Sequence, residues 1–263
     1  MRELIVNADD FGFTEDVNTG IVEAHRAGIL TATTLMANGA AFDHAVRLAQ
    51  ENPELDIGCH LVLVGGESLA RKGRSLPRSV GAMIAAAAAG LPVADEFKAQ
   101  TERILDAGLR PTHLDTHKHT HLFPPVLGAV ARLSEEYGIK WVRRPFDLPM
   151  TAGKPGWSLA WLRRRFERVL RRHGCRWTDH FAGFRMTGRF HTRELVHLIE
   201  GLPDGLTEFM CHPGHCGDQL RSARTRLKES RVRELEALKA GEVRMALDRA
   251  GIGLTNYRAR SFS

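Results

Sequence analysis

The sequence predicts an α/β fold on a parallel sheet: a (β/α) barrel-like arrangement of about seven strands, incomplete or distorted, with an open doubly wound sheet as the other arrangement of the same elements. Three observations lead there. Short β-like runs alternate with helical patterns along the chain. Polar clusters fall where several of those runs end. The length of 263 residues, 43% of them hydrophobic, supplies the core of a barrel-sized unit.

In chain order, the strand-like runs are 4–8, 33–37, 57–63, 112–116, 140–143, 176–184, 206–211 and 254–257. Each has a short apolar stretch bounded by turn residues, although 176–184 has little of the pattern. Between them lie helical patterns at 14–27, 41–51, 80–89, 95–107, 124–137, 159–172, 192–200 and 223–239. The run 124–137 is the clearest: Pro124 and Pro125 suit a helix start, Val126, Val130, Leu133 and Tyr137 form one apolar stripe, and Gly138 supplies the stop. No tandem repeat or low-complexity linker interrupts the series, so one domain over 1–263 is expected.

Composition narrows the classes. No apolar run approaches the roughly 18 residues of a bilayer span, and the start of the chain meets Asp9 and Asp10 too soon for a secretory leader, so neither an anchor nor a signal is expected. The formal net charge of +6 suits an anionic partner but is modest. Cys59, Cys175, Cys211 and Cys216 form no CxxC pair, which fits a reducing, cytoplasmic setting.

Four polar clusters carry the chemistry. In 7–12, Asn7-Ala8-Asp9-Asp10-Phe11-Gly12 follows an apolar strand; adjacent carboxylates on a regular strand point to opposite faces, so both reach one pocket only if the chain turns there, and a plain helix cap or turn is the alternative. His60 interrupts an apolar run, as a hydrogen-bonded core histidine also would. His113, His117, His119 and His121 share one face with Asp115 if the extended conformation continues past 116, a polar face costly to bury without metal or hydrogen-bond partners. An exposed histidine-rich loop is the other reading.

The last cluster, Cys211-His212-Pro213-Gly214-His215-Cys216, reads as a strand-end histidine held by a Pro-Gly turn. A zinc knuckle would crowd four ligands into that turn. On a parallel sheet or barrel, these strand ends converge. One Asp and two His then make a facial metal site with open positions, a catalytic more than a structural arrangement.

In order and spacing, Asn7-Ala8-Asp9-Asp10-Phe11-Gly12, Gly58-x-His60-Leu61, the run from Thr112 to His121 with Phe123-Pro124, and Cys211-His212-Pro213 resemble the YdjC-like carbohydrate deacetylases almost end to end. Within that family, Met36-Ala37-Asn38-Gly39, His60-Leu61-Val62-Leu63-Val64 and Leu202-Pro203-x-Gly205-x-Thr207-Glu208 are most similar to the hopanoid-biosynthesis-associated members.

The resemblance implies a barrel-like fold, often dimeric, and metal-dependent hydrolysis of an N-acetyl group from an amino sugar, here a hopanoid-linked N-acetylglucosaminyl head group, with a chitooligosaccharide-type substrate as alternative. Carried over by motif, Asp10, His60 and His117 are metal ligands for a divalent ion, zinc or magnesium, while the extended-face reading of the residues leaves His119 or His121 open in place of His117. Asp9 is then the general base and His212 the general acid, and Asp115 or a further histidine orients a ligand imidazole. The segment 64–91, with Gly65-Gly66 and an alanine run, departs from the chitooligosaccharide-acting members and gives the pocket a different mouth.

The helix at 157–173 carries Leu162, Phe166, Val169 and Leu170 on one face and Arg163, Arg164, Arg168, Arg171 and Arg172 around the rest. It reads either as a barrel helix with a solvated arginine face or as a peripheral contact with anionic lipid at the inner membrane surface. A non-haem iron oxygenase shares the Asp-His-His triad but usually sits on a β-sandwich. A basic nucleic-acid-binding protein is permitted by the charge alone, but no recognised motif supports it, so no nucleic-acid partner is expected.

Overall fold

The structure, a computed structural model, describes residues 1–148 and 157–261. Its sheet is parallel throughout, in the order β5-β4-β3-β2-β1-β7-β6, with β8 paired to β1. The strands are β1 (Arg2–Phe11), β2 (Ala32–Leu35), β3 (Asp56–Leu61), β4 (His113–Thr116), β5 (Trp141–Val142), β6 (His180–Ala182), β7 (Gly205–Cys211) and β8 (Ile252–Leu254). The order never doubles back through the middle as a doubly wound sheet would. Its two ends also meet in parallel bridges, Trp141 to Arg176 and Asp147 to Phe181, so the sheet curls into a distorted, nearly closed barrel.

The helices are α1 (Glu15–Ala27), α2 (Phe42–Glu51), α3 (Val80–Ala88), α4 (Val93–Asp106), α5 (Pro124–Tyr137), α6 (Trp157–Arg172), α7 (Thr192–Glu200), α8 (Asp218–Ser222), α9 (Glu229–Lys239), α10 (Gly241–Ala250) and α11 (Tyr257–Arg260). Thr14 caps α1 through its side chain, and Gly138 ends α5 in the left-handed region at φ 70°. The expected helix 223–239 is shortened: it begins only at Glu229 as α9, and α8 before it and α10 after it, both unassigned by the sequence pattern, are separate. The expected last strand, 254–257, instead runs Ile252–Leu254, starting two residues earlier and ending three earlier, because Asn256 caps α11 and draws Tyr257 into that helix.

Strands β1, β3 and β7 are buried almost end to end, as expected for parallel strands covered by helices outside and packed side chains inside. Buried apolar residues from Leu4 to Ile252 join in one cluster. Asp9, Asp10, His60 and Asp115 lie toward the C-terminal ends of β1, β3 and β4, where the barrel opens, while Thr33, Thr34, Asp56, His113, Thr207 and Glu208 are buried polar residues earlier in their strands. Helix α6 docks by its apolar stripe, Phe166 and Leu170 being buried and Leu162 and Val169 half-buried, while Arg163, Arg164, Arg168, Arg171 and Arg172 are exposed. The Trp157 side chain lies outside the described residues.

Candidate active site

Strand β1 delivers two adjacent carboxylates because its alternation fails where it must. Asp10 has φ 70°, a left-handed conformation uncommon outside glycine, and the β1–β2 register shifts between Ala8 and Phe11. That irregularity turns both Asp9 and Asp10, 3% and 4% exposed, toward the barrel mouth.

His60 on β3 and Asp115 on β4 are partners in register, so their side chains lie on the same face. His60 Nδ1 bonds Asp115 Oδ1 at 2.7 Å, which leaves Nε2 facing the mouth. There it lies 3.4 Å from Asp10 Oδ1, and His117 Nδ1 lies 3.1 Å from the same oxygen.

The three ligand atoms fall within 4.8 Å of one another, and Asp10 Oδ1 is buried without a hydrogen bond. Three electron-pair donors crowded on one point, one of them orphaned, fit a divalent ion. The surrounding charge agrees: among the described residues, Asp9, Asp10, Asp115 and Glu208 pair with two guanidiniums, Arg143 and Arg231. A second acidic group, Asp9 with His60 and Asp115, is close enough to hold an ion, but Arg143 already bridges its two carboxylates.

The expectation that His113, His117, His119 and His121 line one extended face is corrected. Strand β4 stops at Thr116, and a 3-10 turn spans His117–Leu122 with Lys118 and His119 at φ 57° and 50°, so the four rings diverge. His113 bonds Asn7 Oδ1 at 2.9 Å and stacks on Tyr257. His121 bonds the Thr116 hydroxyl and the Arg143 carbonyl, and burial pushes its ring down to about 3. Neither His119 nor His121 joins the Asp10–His60–His117 group. His119 instead lines the cleft, buried beside Phe184, with Nδ1 unpartnered.

The ring of His113 explains a glycine. A Cβ on Gly58 would stand 2.5 Å from the His113 imidazole, so only glycine leaves room for that ring inside the barrel.

Asp9 is clamped by Arg143, whose Nη1 and Nη2 donate to Oδ2 and Oδ1 at 2.8 and 2.7 Å, with Asn7 Nδ2 adding a third bond at 3.2 Å. Burial raises its carboxyl, but Arg143 together with His60 and His212 outweighs burial and holds it well below the ordinary carboxylate range. Burial likewise pulls the His60 imidazole down, and Asp115 and Asp10 overcome it, raising the ring to about 10.

His212, just past β7, places Nε2 3.9 Å from Asp9 Oδ2. Burial, against the pull of Asp9 and Asp10, takes its ring down to about 4. The backbone N–H of His212 is fixed at 2.6 Å by Glu234 on α9, which also accepts from Gly188 N–H. The Cys211 thiol meets the Asn7 carbonyl, and no cysteine belongs to a group able to hold an ion among the described residues. The turn therefore presents a histidine, not a zinc knuckle.

Sequence reasoning missed the cationic framework. Arg143 joins Asp9, Asp115 and Glu208, and Arg231 reaches Asp10 Oδ2 at 2.5 Å. Glu208 left a faint trace, a charge inside an apolar strand; Arg231 and Glu234 left none. The site opens into a cleft of about 1660 Å³ whose walls mix apolar side chains such as Phe13, Met36 and Leu76 with polar ones.

The fold and site define a barrel with an acid–histidine centre at the C-terminal mouth of its strands, the position where barrel enzymes carry their chemistry. The profile of the YdjC-like protein family matches residues 3–249, and the chain belongs to that family. Carbohydrate deacetylases of Geobacillus stearothermophilus and Brevibacillus brevis are 36% and 34% identical, covering 98% and 97% of this chain and 97% and 98% of their own lengths. An Enterococcus faecalis structure, for which cleavage of cellobiose phosphate has been suggested, superposes with a TM-score of 0.78 at 25% identity, with 98% of each chain covered.

Proposed function

We propose that the protein is a metal-dependent carbohydrate deacetylase that hydrolyses the N-acetyl group of an amino sugar. The observation that carries this reading is the convergence of Asp10 Oδ1, His60 Nε2 and His117 Nδ1 at the barrel mouth, with Asp9 and His212 beside them. The deacetylase relatives, matched over nearly their full lengths, support the same chemistry.

In this reading Asp10, His60 and His117 hold the ion, Asp115 keeps Nε2 of His60 aimed at it, and Arg231 fixes the second oxygen of Asp10. A divalent ion held by these residues would lower the pKa of water to about 7 and would polarise the acetyl carbonyl. Asp9 accepts the proton that water sheds on attack. His212, whose Nε2 lies 3.9 Å from Asp9 Oδ2, is placed to receive that proton. His212 then donates it to the departing nitrogen, the C–N bond breaks, and acetate and a free amine result. Arg143 orients Asp9 throughout.

The substrate in this proposal is the N-acetylglucosaminyl head group of a hopanoid lipid, since the 64–91 segment shapes the cleft; chitooligosaccharides are the alternative. A cytoplasmic homodimer working at a lipid surface completes the reading. The test is an amine-release assay on N-acetylated sugars and glycolipids, with chelated enzyme and enzyme restored with zinc or magnesium. Amine release that depends on added metal is expected. Equal release with and without metal, or none from any acetylated sugar, overturns the reading.

A further inference from the structure

The connection between β3 and α4 is unlike the rest of the surface. Helix α3 is nine residues of Val, Gly, Ala, Met and Ile, and only Met83 is buried. Val80 and Ile84 are 38% and 39% exposed, and Ala82, Ala85 and Ala88 are exposed around them. Water-facing apolar side chains on one helix form a contiguous patch of the kind that marks an interaction surface. The helix is too short to cross a bilayer, and its continuation into α4 is bent by 117°.

Between two exposed acids, Glu67 and Asp95, the charge along the chain has one sign. From 68 to 94 the chain carries Arg71, Lys72, Arg74 and Arg78 and no acid. All four are exposed, and none forms an ion pair among the described residues. Arg78 lies two residues before Val80 and also lines the cleft, as do Arg224, Arg226 and Lys118 from other parts of the rim.

Further exposed apolar residues lie toward the same end of the barrel. Phe184, after β6, lines the cleft at 49% exposure. Leu159 and Trp161 are exposed in the first turns of α6. That helix starts at the mouth, because the chain after its far end pairs with the start of β5, Arg176 N–H donating to the Lys140 carbonyl.

We propose that this mouth-side surface, with α3 at its centre, docks on an anionic lipid bilayer and brings the cleft against the membrane. Apolar side chains enter the headgroup region while the basic residues meet lipid phosphates and carboxylates. Each such cation near an anionic surface strengthens partitioning by about fivefold. A second copy of this chain fits the patch less well: in a two-fold contact the same surface faces itself, which would set the four cations of 68–94 against four more. The inference locates the lipid contact on α3 and the mouth rather than on the arginine face of α6. It rests on the deacetylase reading only for the nature of the substrate, since docking is measured without turnover.

The experiment is flotation of the full chain with vesicles of phosphatidylcholine alone or with ~30% phosphatidylserine, at low salt and at about 0.5 M salt. Binding is expected only with phosphatidylserine, falling steeply with salt. Ile84→Glu should weaken it at least tenfold while the circular dichroism spectrum and melting temperature hold. The triple change Arg71→Gln, Lys72→Gln, Arg74→Gln, at three residues that do not line the cleft, should do the same by removing charge alone. Absence of binding to anionic vesicles, or binding untouched by both variants, overturns the proposal. So does a concentration-dependent dimer in sedimentation that Ile84→Glu abolishes, since the patch is then a contact between copies.

Discussion

Replacing Arg143 by methionine tests whether one guanidinium holds the site together. Arg143 is 2% exposed and lies 2.5 to 2.7 Å from carboxylate oxygens of Asp115, Asp9 and Glu208. Methionine fills much of the same volume, so the loss is chiefly electrostatic. Removing one partner of a buried pair costs about 3–5 kcal/mol because the other charge stays buried and unpaired. Here three carboxylates share the cation, and partial protonation limits their combined penalty, so the upper end, about 5 kcal/mol, is expected at pH 8. That lowers the folded-to-unfolded ratio by more than a thousandfold.

The pH dependence gives the prediction a sign. In the wild type Asp9 is depressed by Arg143, a contribution present above the unfolded carboxylate pKa and lost as pH falls through the folded one. In the variant, burial without Arg143 raises the folded pKa above the unfolded value. The folded variant then takes up protons more readily than its unfolded chain, and its penalty shrinks on acidification. Urea unfolding of both proteins in chelator, at pH 8 and pH 5, should show a stability gap that narrows at the lower pH. A gap below about 1 kcal/mol, or one of constant size, would refute the argument that Arg143 balances buried charge.

Three further outcomes are expected. Asp9→Asn should keep metal affinity yet lose about 10²- to 10⁴-fold in turnover, whereas His117→Ala should lose metal affinity itself; calorimetric titration with zinc beside the amine-release assay separates the two, and equal loss of metal in both would undo the division of roles. His212→Ala should slow amide substrates far more than activated acetyl esters, whose leaving groups need no proton, and equal slowing of both would remove its part as donor to nitrogen. Gly58→Ala should destabilise by about 1–3 kcal/mol through overpacking against the His113 ring, read as a lowered urea midpoint; an unchanged midpoint would mean the ring moves aside freely.

The sequence by itself determined the alternation of strands and helices and the strand-end position of Asp9, Asp10, His60 and His117, because apolar periodicity and a polar residue ending an apolar run are local features. It also marked Pro124–Tyr137 at both ends. What it could not determine was the direction of side chains once regular backbone gives way. The left-handed turns at Asp10, Lys118 and His119 bring two carboxylates to one point and spread four histidines apart, and no period of two foresees them.

Only the tertiary structure decided the charge framework. Arg143 meets Asp9 across 134 positions and Arg231 meets Asp10 across 221, and nothing near either arginine in sequence announces its partner. A buried ion pair is chosen by which chain segments the barrel brings together, so its members are visible only after folding has taken their water away.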